Sequence, residues 1–227
     1  MDLKKTLLLV GLSSGLAHAD AHAAVESALT ASYGSEYIYR GVNVGDDHVS
    51  LNLTASGEAA GLTWNAGLLH GSTETSDETR MMLGVSKSLS DSLSVNVGMM
   101  NTSLLAAGDL REVYVGVSTA LAGIDLSGTV FFNQNDALAT DSYYELSASY
   151  HHCMGDGLGA TLAVSYGNWD EDPGGTLEDV DALAISVTLN KDLGGGLEGS
   201  LGVTHSISDT AISEDETVVG ASVTFSF

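Results

Sequence analysis

Three groups of residues in this chain have the types and spacing that chemistry uses. His70-Gly71-Ser72 sets an imidazole two residues from a hydroxyl. On an extended strand positions i and i+2 share a face, so the pair is a candidate base and nucleophile, although no Asn is placed to orient the imidazole. His151-His152-Cys153 offers three metal-binding side chains. Adjacent strand residues point to opposite faces, however, so the two imidazoles do not converge on one ion, and a turn at the rim is the better expectation. The run from Asp170 to Asp181 spaces oxygen ligands somewhat like a calcium loop, with Gly175 at the sharp turn. It departs where Gly174 replaces a ligand and Asp181 replaces the bidentate Glu, which favours a solvated acidic loop holding divalent ions loosely. No resident metal or cofactor is expected from these patterns. A fourth group, Glu36, Arg40, Arg80, Glu112 and Glu145, would act by its field, provided that its members share one face of the elements that carry them.

Those elements are strands. From Thr217 to Phe227 the chain alternates without error: Val219, Ala221, Val223, Phe225 and Phe227 against Gly220, Ser222, Thr224 and Ser226. A period of two over about ten residues suits a strand that crosses a bilayer at a tilt, lipid on one side and a polar interior on the other. The same search predicts about twelve strands, near 28–40, 48–55, 62–69, 80–89, 93–102, 111–120, 124–132, 143–151, 159–167, 182–190, 197–205 and 217–227. This is an all-β, antiparallel, up-and-down transmembrane barrel, with a soluble β-sandwich as the alternative. An even count puts both ends on one side. Tight connections such as Ser90-Asp91-Ser92 and Ala122-Gly123 then share the periplasmic side, and long ones such as 168–181 and 206–216 lie outside.

Parity sorts the side chains. Val49, Leu51 and Leu53, Val95, Val97 and Met99, or Val113, Val115 and Val117 form a lipid face; Ser50, Asn52 and Thr54, Ser94 and Asn96, or Ser200, Gly202 and Thr204 form a small polar one. Small hydroxyls and glycines in a barrel of this size predict a narrow water-filled lumen, with interdigitated polar side chains as the alternative. All five charges of the fourth group have lumen parity, Arg40 and Arg80 at the outer ends of their strands. Opposed charges near a mouth set ion preference, whereas simple pairing of Arg40 with a neighbouring acid is the structural alternative.

The chain ends agree with export. Met1 to Lys5 is a basic head, Thr6 to Leu12 a short apolar run, and Ala17-His18-Ala19 a peptidase site. This predicts a signal peptide over 1–19, with a second site after Ala23, and a mature barrel over 24–227. Hydropathy is uninformative: 44% hydrophobic residues and a mean hydropathy of +0.15 also describe soluble domains, because in a barrel every second residue faces inward. A single Pro among 27 Gly suits uninterrupted strands, and the lone Cys153 permits no internal disulfide. The net charge of −23 excludes nucleic acid as a partner and disfavours docking on anionic lipid. Of the 30 acidic residues, 18 fall in the predicted outer loops 41–47, 70–79, 103–110, 133–142, 168–181 and 206–216, which hold none of the seven basic ones. Cation preference follows.

Ser35-Glu36-Tyr37-Ile38-Tyr39-Arg40-Gly41 resembles the opening strand of the TorF-type porins, a Ser-acidic-Tyr-aliphatic-aromatic-Arg-Gly run. After it Val42-Asn43-Val44 replaces that family's Ser-Gln-Thr. The resemblance implies an outer-membrane barrel of a Gram-negative bacterium that passes small solutes, and carries over Glu36, Tyr37, Arg40 and Gly41. Gly41 would turn the backbone, and Tyr37 and Tyr39 would face lipid in an aromatic girdle. Phe225 and Phe227 are similar to the C-terminal signal read by the barrel-assembly machinery. His70 and Ser72 are similar in placement to the pair of outer-membrane phospholipases, but Thr73-Glu74 stands where those enzymes carry Asn-Gly. The reading is therefore a porin-like, non-enzymatic channel among outer-membrane lipids and lipopolysaccharide. The alternatives are a non-conducting surface barrel and, more remotely, a lipid hydrolase. Solute and oligomeric state are not written in the sequence.

Overall fold

The computed structural model describes residues 25–104, 108–134, 142–169, 181–209 and 215–227. The predicted leader and all of the acidic loop except Asp181 lie outside them. Twelve strands follow one another: β1 Glu26–Tyr39, β2 Val42–Ala59, β3 Leu62–Ser72, β4 Asp77–Ser88, β5 Leu93–Leu104, β6 Gly108–Leu121, β7 Ile124–Asn133, β8 Ser142–Gly155, β9 Leu158–Trp169, β10 Asp181–Gly194, β11 Leu197–Asp209 and β12 Glu216–Ser226. Each pairs antiparallel with its sequence neighbours, and β1 pairs with β12 to close the barrel. Closure rules out the β-sandwich. It also satisfies every wall strand on both sides, as a hydrocarbon environment demands.

The alternation read from the sequence becomes an apolar outer belt. Leu51, Leu83, Val97, Val115, Leu146, Leu162, Val187 and Leu201 are all exposed on the outside, while Ser50, Asn52, Ser86, Thr161, Thr188, Ser200 and Ser222 are buried inside. Two aromatic bands bound the belt. Tyr150, Phe225 and Phe227 lie towards the rim that carries the chain ends; Tyr33, Phe132, Tyr144 and Tyr166 lie towards the far rim. Tyr33 and Tyr166 donate to Asp47 at 2.5 Å and Asp181 at 2.6 Å, the amphipathic geometry that aromatic rings adopt at a membrane interface. At the other rim Ser27 and Phe227 exchange backbone hydrogen bonds of 3.0 and 2.9 Å, and the Phe225 and Phe227 rings stack at 5.5 Å.

Inside, large rings lie flat over glycines. Tyr114 on β6 covers Gly98 of β5 and reaches Gly84 of β4, and a Cβ at Gly98 would overlap both that ring and the Leu83 carbonyl. Gly98→Ala should therefore lower barrel stability by about 1–3 kcal/mol, the usual cost of overpacking. A shift of the heat-modifiable band to lower temperature checks this.

Three sequence expectations change. The second and third strands seemed the shortest, but β2 is the longest at 18 residues. His151-His152-Cys153 is not a turn, since β8 runs on to Gly155 and the turn is left to Gly155-Asp156-Gly157. The first outer loop, 41–47, is not a loop. β1 and β2 are joined by the two-residue turn Arg40-Gly41, both at positive φ (50° and 88°), and Val42 already starts the return strand. That is the primed turn that matches strand twist, and Gly41 supplies the φ that a side chain resists.

Candidate functional site

The β1–β2 hairpin leaves the wall. Pairing of β1 with β12 stops at Gly34, opposite Gly220, and pairing of β2 with β3 begins only at Val49. Between those points the two arms pair with each other alone, through a register shift at Tyr37/Ile38. The extra residue is Val44, in the returning arm, so Tyr37 and Tyr39 keep one common face, and that face turns because the freed hairpin bends out of the wall. Tyr37 and Tyr39, read as lipid-facing, instead turn inward and are 1% and 7% exposed. The hairpin thus lies across the far mouth of the lumen, with side chains packed on both of its faces.

On one face Ile38 packs against Val218 of β12, with Ala184 of β10 beside them. On the other, Tyr37 and Tyr39 join Leu110, Tyr143 and Trp169 from β6, β8 and β9 in a buried cluster. Rim contacts brace the arms. Ser35 Oγ accepts from the Val219 amide (3.1 Å), Asn43 Nδ2 donates to Glu216 (3.2 Å), and in the β3–β4 connection Thr75 Oγ1 donates to the Val44 carbonyl (3.4 Å).

The tip residue carries the charge. Arg40 donates twice to Glu112 on β6, Nη1 to Oε1 at 2.6 Å and Nη2 to Oε2 at 3.0 Å, with both side chains almost fully buried. This fork-to-fork geometry is the strongest form of the pair. Its guanidinium carbon lies 4.6 Å from the ring centre of Phe131, 4.2 Å from Tyr143, 4.8 Å from Trp169 and 5.2 Å from Tyr39. All four distances fall within cation–π range. Trp169 Nε1 donates to the Arg40 carbonyl at 3.2 Å. Because β6 to β9 stand across the barrel from β1 and β2, this one side chain bridges the mouth.

Arg80 forms a second station. It pairs with Glu78, two residues earlier on the same face of β4, donates to Tyr37 Oη at 3.3 Å, and stands 5.5 Å from the Tyr39 ring. Tyr39 is thus flanked by two guanidinium groups. His48 stacks on Tyr37 at 4.5 Å and covers Gly71. Glu145 lies beneath the box and accepts from Tyr143 Oη at 3.5 Å. Glu36 is on the β12 side, opposite Asp46 within the hairpin.

The structure therefore gathers Arg40, Arg80, Glu112 and Glu145 around one mouth and leaves Glu36 on the hairpin's other face. The hairpin lies across the far end of the lumen that the small side chains line. Glu78 was hidden in a predicted loop. Phe131, Tyr143 and Trp169 were missed although a signal existed: each is a bulky aromatic at the outer end of an otherwise small, polar, lumen-facing series.

The other candidates stay apart. His70 Nδ1 is 3.1 Å from Thr79 Oγ1, and Ser72 Oγ donates to the Thr73 carbonyl, so neither addresses the other. His151 faces the lumen, 3.2 Å from Thr161 Oγ1, while His152 stacks on Tyr150. Among the described residues no cluster of His, Cys, Asp and Glu has metal-binding geometry. Near the opposite rim His151, Cys153, Asn190 and Glu198 line a cavity of about 240 Å³.

Comparison with solved structures identifies the architecture. The COG4313 outer membrane channel from Pseudomonas putida F1 superposes with a TM-score of 0.62 at 10% identity, over 94% of this chain and 98% of that one. The NanC porin gives 0.61 at 11% identity, over 87% and 98%, and the KdgM porin 0.57 at 10%, over 88% and 99%. The fold is shared with outer-membrane porins. No protein-family model and no curated protein matches the sequence, so the likeness to TorF-type porins rests on Ser35 to Gly41, with Trp64 and Phe227 as weaker support.

Proposed function

We propose that this protein is an outer-membrane channel for passive diffusion of small solutes, preferring cations, with its far mouth on the cell exterior and the β1–β2 hairpin as a lid. The observation that carries this reading is the inward face, small and polar on strand after strand, behind a mouth that, among the described residues, a hairpin outside the wall lies across. Acid is concentrated at that mouth: Asp46, Asp47, Glu74, Asp77, Asp181 and Asp215 surround it on the described connections and strand ends. Converging field of one sign raises the local concentration of counter-ions. Glu78, Glu112 and Glu145 oppose Arg40 and Arg80 within it, so the balance at the constriction favours cations. The belt and its aromatic bands would meet outer-membrane lipid, the acidic rim the divalent ions of lipopolysaccharide, and Phe225 and Phe227 the assembly machinery.

Single-channel recording of the refolded mature chain in a planar bilayer under a salt gradient tests this. Arg40→Ala should raise both conductance and the cation-to-anion permeability ratio derived from the reversal potential. An unchanged ratio would place Arg40 outside the ion path. The seated hairpin is also the observation that favours a second reading, a non-conducting surface barrel. A folded, heat-modifiable protein that stays silent with and without its hairpin would establish that reading instead.

A further inference from the structure

Arg40 sits where a ligand would sit. Its guanidinium has rings of Phe131, Tyr143 and Trp169 within 5 Å, each from a different strand of the far wall, and a carboxylate aligned on its two terminal nitrogens. Only Tyr39 belongs to the hairpin that brings it. Phe131 and Tyr143 lie 6.0 Å apart, Tyr143 and Trp169 4.9 Å, tilted against one another at 43° and 49° so that several faces look onto one point. Tyr143 is fixed in turn, lying over Gly167, where a Cβ would strike its ring. Wall residues thus supply the recognition elements for an organic cation: ring faces for delocalised or alkylated positive charge and a fork for two N–H donors. A wall built only to hold its own hairpin would need apolar contact, not a cage with an aligned acid.

We propose that Phe131, Tyr143, Trp169 and Glu112 form a solute-binding site for guanidinium and alkylammonium cations, which Arg40 occupies as an intramolecular ligand when the hairpin is seated. A guanidinium-bearing solute that binds there competes with Arg40 and so favours the unseated hairpin, because a ligand shifts an equilibrium towards the state it binds. The site names a solute class for the proposed channel and extends that reading. Binding is measured without a bilayer, so failure of conduction and failure of binding are told apart.

The test uses refolded protein in detergent micelles with Trp64→Phe, which leaves Trp169 as the reporter among the two tryptophans. Guanidinium chloride, tetramethylammonium chloride, sodium chloride and urea are titrated at sub-denaturing concentration. In Arg40→Ala, guanidinium should change Trp169 emission saturably with a midpoint in the millimolar range, the order set by the few atoms of the ligand. Urea, the same shape without charge, and sodium chloride should not. Intact Arg40 should shift the midpoint at least about tenfold higher, and Arg40→Ala with Glu112→Gln should abolish saturation. A response to urea equal to that to guanidinium, or saturation that survives Glu112→Gln, would overturn the site. If Arg40→Ala does not give a heat-modifiable barrel, the same titration on a chain with residues 36–46 replaced by Asn-Gly decides the matter. Saturable guanidinium binding there supports the wall site, and its absence refutes it.

Discussion

If the barrel conducts as proposed, replacing residues 36–46 by Asn-Gly should turn a mostly closed pore into an open one. The wall does not depend on the deleted segment, because β1 keeps its pairs with β12 from Ala28 to Gly34 and β2 keeps its pairs with β3 from Val49 onwards. A two-residue primed turn between the trimmed arms preserves the hairpin register. What is lost is the lid, its buried cluster and the Arg40–Glu112 bridge. If seating is worth about 3 kcal/mol, the unseated fraction is below about 1%, and trimming raises it to unity. Single-channel traces should then change from rare brief openings to sustained current. Equal traces for intact and trimmed chains, both conducting, would show that ions pass without meeting the hairpin.

Glu112→Ala should unseat the lid without shortening it. The substitution leaves a guanidinium in a box of four rings with no counter-charge. Removing one partner of a buried pair typically costs about 3–5 kcal/mol, mainly because the survivor remains desolvated. Arg40 escapes that cost by leaving, and the hairpin leaves with it. A cysteine placed at Ile38, which is 4% exposed with the hairpin seated, in a Cys153→Ser background should react with a membrane-impermeant maleimide at least about a hundredfold faster in Glu112→Ala than with Glu112 intact. Replacing both partners, Arg40→Met with Glu112→Leu, should restore protection, since apolar side chains of similar volume often serve a buried site as well as an ion pair. Protection unchanged in Glu112→Ala would assign the seating to the aromatic cluster alone.

The wall was legible in the sequence because lipid and lumen impose opposite demands on successive residues. Val95-Asn96-Val97-Gly98-Met99 can be assigned to a face by parity alone, and all twelve strands emerge near their predicted positions. The lid was not legible, for a related reason. Parity reasoning assumes a strand that stays in the wall, but beyond Gly34 β1 leaves it, and Tyr37 and Tyr39, which also fit an interfacial girdle, turn inward without any change of parity. Arg40 was legible as a lumen charge, and its pairing with an acid was one of the two readings open. Its partner was not, since Glu112 lies 72 residues away. Nothing local in the sequence links the two. The aromatic series on β7 to β9 was the available clue: three large rings at the same end of three polar faces imply something bulky and cationic between them.

The seam between β1 and β12 has a mechanical meaning. Seven ladder pairs and the Ser27–Phe227 exchange hold it, against thirteen ladder pairs between β1 and β2, because the chain that would have lengthened it was diverted into the lid. With each backbone hydrogen bond worth about 1 kcal/mol net, a sideways pull on the barrel finds its least resistance here. Ser35, whose hydroxyl holds the Val219 amide just above the last pair, is also the hinge from which the lid departs. Strain in the surrounding bilayer and the position of the lid therefore bear on one residue, and a barrel stretched in its membrane would loosen its cover before it lost its wall.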